Sequence, residues 1–194
     1  MQSKFLGVQA VAEQAKEKAL EAYLVASARL GDRRAMSLLV QLRGPRLMAH
    51  AVRLLGDREV ARDMVQEAWA EILRGLGGLR DDHAFSPWAL RIVSRRVARE
   101  IGQRQRHRRL EIAYADEVED ALSFDLNTKL DADKLRHALG ALTPEHRATI
   151  ALFYLEEMSV NEVALAMDVP AGTVKTRLMH ARARLRSAML GEDK

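Results

Sequence analysis

The sequence predicts an all-α protein made of two small helical domains joined by an acidic linker. Apolar residues are 48% of the chain but aromatics only 5%, so the composition leans on Ala, Leu and Met, which with Glu and Arg are strong helix formers. Apolar positions recur at helical spacing in long windows. Charge is segregated along the chain: residues 91–109 carry eight arginines and one acid, Glu100, and residues 111–133 carry eight acids against Lys129. After Asp168 the balance turns basic again. A chain of 194 residues is long enough for one core or for two small ones, and the basic, acidic, basic alternation favours two.

The formal net charge of +4 is modest, so its distribution matters more than its size. The chain has no cysteine, which removes disulfides and thiolate metal sites and fits a reducing compartment. No apolar run approaches the roughly 20 residues that span a bilayer, and "MQSKFLGVQAVAEQAKEK" contains no signal-peptide core. These features point to a cytoplasmic protein without membrane insertion.

Residues 8–30 read as the first helix, which "GDRR" ends. The second covers 34–55 and is expected to break or bend at Gly44 and Pro45, because proline removes a backbone donor. "GDRE" separates it from the third, 58–75. There Val60, Ala61, Met64, Ala68, Trp69 and Ile72 share one side, and Asp63, Gln66, Glu67, Ala70 and Arg74 share the other. The glycine-rich "GLGGLRDDHAFSP" then leads to a fourth helix, 87–104, with Ser86 as cap and Pro87 at its first position.

The fourth helix carries the first chemical signal. Leu90, Val93, Val97 and Ile101 should face the core, while Arg91, Arg95 and Arg99 form a row at i, i+4, i+8 in the sector that also holds Trp88 and Ile92. Stacked arginines repel by a few tenths of a kcal/mol per pair, so an anion is expected to compensate. A nucleic-acid backbone would do so, with the Trp88 ring stacking on an unpaired base. Alternatively Trp88 packs in the core and the arginines are solvated.

"EIAYADEVEDALSFDLNTK", 111–129, lacks a sustained helical stripe and reads as the tether; its acids could also shield a basic surface. The second unit begins near Leu130. In "LTPEHRATIALFYLEEMSV", Thr143 is a cap, Pro144 takes the first helical position and Glu145 complements the helix dipole. "SVNE" is a capping box that opens a short helix, 160–167. "DVP" stops it, and Pro170 opens the last helix, which completes a helix-turn-helix pattern. On this helix Val174, Leu178, Ala181 and Leu185 form the inward stripe, and Lys175, Thr176, Met179, His180 and Ala183 face away. Arg177 and Arg184 flank that outer face on one side, Arg182 and Arg186 on the other, placed to grip phosphates beside a groove. The helix N-terminus near Gly172 and Thr173 adds amide donors. A basic amphipathic helix also suits a membrane surface, but this one lacks aromatics and follows a helix-turn.

With these segments in view, the sequence resembles the extracytoplasmic-function group of bacterial sigma factors, the promoter-recognition subunits of RNA polymerase, from about Leu24 to Leu190. "RLLGDREVARDMVQEAWAEIL" is similar to the family's core-polymerase-binding segment, and "FSPWALRIVSRRVAREIGQRQRHRR" to its promoter-melting and minus-ten-reading segment. "LTPEHRATIALFYLEEMSVNEVALAMDVPAGTVKTRLMHARARL" is similar to its minus-thirty-five-reading domain. The resemblance implies domains at 24–110 and 130–191, an extension at 1–23 and a linker at 111–129. It implies that Asp63, Gln66 and Glu67 meet the polymerase clamp, and that the loop 77–84 holds a flipped minus-ten base. Trp88, Arg91, Arg95, Arg96 and Arg99 would guide the opened strand. Thr173, Lys175, Thr176, Arg177, Met179, His180 and Arg182 would engage the minus-thirty-five element. Arg95 stands where the family usually has asparagine, and Arg99 where it usually has an acid or asparagine, which leaves the minus-ten base preference open. The extension before Tyr23 is longer than usual.

The implied partners are core RNA polymerase, promoter DNA and an anti-sigma factor. No catalytic residue, metal, cofactor or small-molecule substrate is expected, and the protein is expected not to be an enzyme. The alternatives are a sigma-like decoy that binds an anti-sigma factor without reading promoters, a dimeric helix-turn-helix repressor, and a nuclease or recombinase. Retained basic faces argue against the decoy, and no helix carries the carboxylate cluster that two-metal phosphoryl chemistry needs.

Overall fold

The computed structural model describes residues 2–111 and 138–190, with side-chain surroundings for most of them. Among these residues all regular structure is helical. The linker, 111–129, lies outside the described residues apart from Glu111, as does the expected start of the second unit near Leu130.

Helix α1, Gln2–Arg29, is longer than expected. It ends at Gly31, whose φ of +93° suits glycine. Asp32 then caps α2, Arg33–Leu55, by accepting from the amides of Arg34 and Ala35. Gly56, at φ +76°, closes α2 with an N–H bond to the Val52 carbonyl. Asp57 caps α3, Arg58–Gly75, in the same way as Asp32. Two 3-10 turns, Leu76–Gly78 and Asp82–Ala84, lead into α4, Phe85–Glu111.

Two helices differ from what their sequences predict. α2 runs through Gly44 and Pro45 as one helix, so the break is absent. Pro45 and Gln41, whose carbonyl would pair with the missing donor, both lie on the exposed side, while the neighbouring Arg43 and Leu47 are buried and anchored. α4 begins at Phe85 instead of being capped by Ser86. Phe85 is fully buried against Trp69 and Trp88, with ring centroids 6.5 and 6.0 Å away, and the Ser86 hydroxyl donates to Glu21 on α1.

Helices α1–α4 bury one core that includes Val25, Leu39, Ile72, Phe85, Val93 and Val97. Across it Arg43, only 3% exposed, is paired with Glu17 and Glu21, so the second half of the N-terminal extension is bolted to α2 by a buried charge.

The second unit holds α5, Pro144–Tyr154, α6, Val160–Met167, and α7, Ala171–Leu190. Thr143 caps α5 and the Ser159–Glu162 capping box opens α6, both as expected. Leu152, Val163, Ala166, Val174, Leu178 and Ala181 form its core.

The two units pack directly on each other, α4 lying along α6 and α2 against α5. The Ser94 hydroxyl donates to the Ala166 carbonyl at 2.6 Å, and the His50 Nε2 lies 2.8 Å from the same hydroxyl. Arg91 reaches Asp168 at 2.8 Å, and Arg46 reaches Glu156 at 3.1 Å.

Candidate nucleic-acid interface

The outer face of α7 is built by its inner one. Val174, Leu178 and Ala181 are buried with Leu185 half-buried beside them, which turns Lys175, Thr176, Met179, His180 and Ala183 to the exposed side. Met179 is 58% exposed although apolar, a placement suited to a groove lined with base edges and thymine methyls. The Thr176 hydroxyl donates to the Gly172 carbonyl at 3.1 Å, and the residue is exposed. Thr173 is half-buried in the first turn. A Cβ at Gly172 would meet nothing within 4 Å, so packing inside this chain does not demand glycine there.

Two of the flanking arginines, Arg182 and Arg184, are held by neighbouring residues. Arg182 Nε donates to the Tyr154 hydroxyl at 2.8 Å, and its guanidinium lies over the Phe153 and Tyr154 rings at 5.8 and 5.6 Å. Arg184 donates to the Ala141 carbonyl at 3.3 Å. Arg177 is half-buried. His146, on α5, sits edge-on to His180 with centroids 6.4 Å apart. Its pKa is lowered first by partial burial and then by Arg177, His180 and Arg184, which reports the density of positive charge around this face.

The arginines of α4, the row and Arg96 together, divide three ways. Arg95 and Arg99 are exposed and form no ion pair among the described residues. Arg91 is tied to Asp168, at the turn between α6 and α7. Arg96 turns toward α3 and binds Glu67 and Glu71. Trp88 and Ile92 belong to the packed side: Ile92 is 6% exposed, and Trp88 stacks near Phe85 and covers Gly75, where a Cβ would lie 3.1 Å from the indole. Trp88 is partly buried against the core, as one of the two readings left open for it expects. On α3, Asp63 and Gln66 are exposed, as is Glu67 despite its bond to Arg96. In the loop 77–84, Asp82 is held by Arg29 at 2.8 Å and Leu79 is buried.

Sequence reasoning missed the polar residues of the seam. Ser94 is 7% exposed and His50 fully buried. Ser94 falls at i+4 from Leu90, inside the apolar stripe, and a hydroxyl placed there was the available signal. No described helix is long and apolar enough to cross a membrane.

Residues 39–107 match the family model described as sigma-70 region 2, and residues 132–185 match that of sigma-70, region 4. The chain is 32% identical over 159 residues to the RNA polymerase sigma-E factor of Streptomyces avermitilis, covering 79% of this chain and 84% of that one. It is 29% identical over 178 residues to the ECF RNA polymerase sigma-E factor of Escherichia coli strain K12, covering 86% and 92%. Among solved structures it resembles CnrH in complex with the cytosolic domain of CnrY, with a TM-score of 0.61 and 26% identity over 90% of this chain and 99% of that one.

Proposed function

This chain belongs to the sigma-70 family, in its extracytoplasmic-function group, and from that premise we propose how its residues recognise a promoter. It is a transcription initiation factor whose partners are core RNA polymerase, promoter DNA and an anti-sigma factor. It acts by binding and performs no chemistry of its own; nucleotide transfer belongs to the polymerase, in the cytoplasm.

The unit 24–110 docks on the polymerase through Asp63, Gln66 and Glu67 and guides the opened minus-ten strand along Arg91, Arg95 and Arg99, beside the loop 77–84. The unit 130–191 lays α7 in the major groove of the minus-thirty-five element. Lys175 and His180 present donors to guanine O6 and N7 edges, Thr176 and Met179 present apolar surface to thymine methyls, and Thr173, Arg177 and Arg182 hold phosphates. The observation that carries this reading is the outer face of α7, where Lys175, Thr176, Met179 and His180 are exposed together over a buried stripe.

The two promoter elements lie roughly 25 base pairs apart, or about 85 Å at 3.4 Å per pair. Direct contact of α4 with α6 cannot span that distance, so the seam opens when both elements are held.

Footprinting with reconstituted holoenzyme tests the reading. Protection is expected at both elements, and Lys175→Ala or His180→Ala should relax the choice of upstream sequence. Arg182→Ala should weaken all sites alike and lower the salt slope by about one contact. Failure of the chain to direct any initiation from core polymerase would refute the proposal.

A further inference from the structure

Arg96 sits on α4 among arginines suited to DNA, yet its side chain crosses to α3. Its Nε and Nη2 donate to Glu71 Oε2 at 3.1 and 2.7 Å, and its Nη1 donates to Glu67 Oε2. The arginine side chain is 17% exposed, whereas those of Glu67 and Glu71 are 57% and 41% exposed. The guanidinium is therefore turned inward and the carboxylates outward. Each carboxylate uses Oε2 for Arg96 and leaves Oε1 without a hydrogen-bond partner among the described residues.

Glu67 and Glu71 are one helical turn apart. Alone, they would repel each other and sample several rotamers, at an entropic cost to any partner that had to fix them. A planar guanidinium bonded to both removes the repulsion and sets their separation, which a flexible ammonium does less well.

We propose that Arg96 is a positioning residue for polymerase docking: it orients Glu67 and Glu71 so that their free oxygens together receive a basic side chain of the polymerase. Glu71 thereby joins the docking face, and Arg96 leaves the set of DNA-holding residues. The proposal rests on the reading that α3 docks the polymerase, and names the chemistry that face takes.

The test uses the full chain with core polymerase and two readouts: the Kd for core at low and high salt, and promoter opening at saturating core. Arg96→Ala and Glu71→Ala should each weaken core binding about fivefold, a coupling of the size neighbouring charges show. The double variant should lose less than the product of the two single-variant losses, and opening at saturation should be unchanged. Arg96→Lys should recover part of the loss, and it carries the same comparison should Arg96→Ala fail to fold.

Unchanged core affinity with impaired opening at saturation would make Arg96 a DNA contact and overturn the proposal. Additive losses in the double variant would overturn it too, since the side chains would then act separately. Asp63→Ala and Gln66→Ala report on the docking reading itself: if neither alters core affinity, that reading fails, and this is distinguishable from failure of Arg96 alone.

Discussion

His50 is fully buried at the meeting of α2, α4 and α6, with Nε2 against the Ser94 hydroxyl and Nδ1 without a partner. Since Ser94 donates its proton to the Ala166 carbonyl, Nε2 carries the imidazole proton. Ala166 is near the end of α6, where carbonyls lack helical partners, so the chain from His50 through Ser94 completes that terminus. Burial, helped by the charge of Arg53, lowers the His50 pKa from 6.5 to about 3. The folded protein therefore holds a neutral ring, while the unfolded chain takes up a proton below pH 6.5. The contribution is fully present above pH 6.5 and is lost as the pH falls toward 3. At pH 5 the loss is about 2 kcal/mol, from 1.36 kcal/mol per pH unit. The lowered pKa of His146 acts in the same direction. Urea unfolding at pH 7 and pH 5 should show this fall in the native chain and a distinctly smaller one in His50→Gln.

At the scale of elements, local chemistry decides where helices begin. Ser159 and Glu162 satisfy each other's amides at the start of α6, an eight-residue helix too short to persist on its own. Ser159→Ala should destabilise the protein by about 1 kcal/mol, seen as a lower urea midpoint with an unchanged slope. Such starts were legible in the sequence, because the capping residues lie three positions from the amides they serve. So were the two faces of α7 and the polar side of α3, which follow from spacing alone. The break expected at Pro45 is absent because its local cost is outweighed by Arg43 and Leu47, buried on either side of it. The start of α4 was misread because Phe85 is drawn into an aromatic cluster with Trp69, sixteen positions upstream. The resemblance sets Arg96 among the residues that guide the opened strand, and only the approach of α3 reveals its acidic partners. The seam was illegible for the same reason: Ser94 and Ala166 are separated by 72 positions, and Arg91 and Asp168 by 77.

For the whole molecule, the seam combines a buried polar chain with two ion pairs nearer the surface. Exposed pairs contribute at most about 1 kcal/mol each, so neither alone holds the units together. Removing both is expected to shift the balance toward a separated arrangement. Glu156→Gln with Asp168→Asn removes the two carboxylates and keeps a residue that tolerates the left-handed backbone at position 168, where φ is +55°. Small-angle scattering of the free chain should then give a larger radius of gyration than the native protein, with helical content unchanged.

The pairing of Arg91 with Asp168 also bears on ionic strength. One guanidinium cannot hold a carboxylate and a phosphate at once, so under the proposed strand path along Arg91 promoter DNA would gain that contact only after the internal one is released. Added electrolyte weakens the grip on DNA and loosens the internal clasp together, and the two effects oppose. A plot of log affinity against log salt for the unaided protein should therefore be shallower than the number of phosphates touched implies, and Asp168→Asn should steepen it.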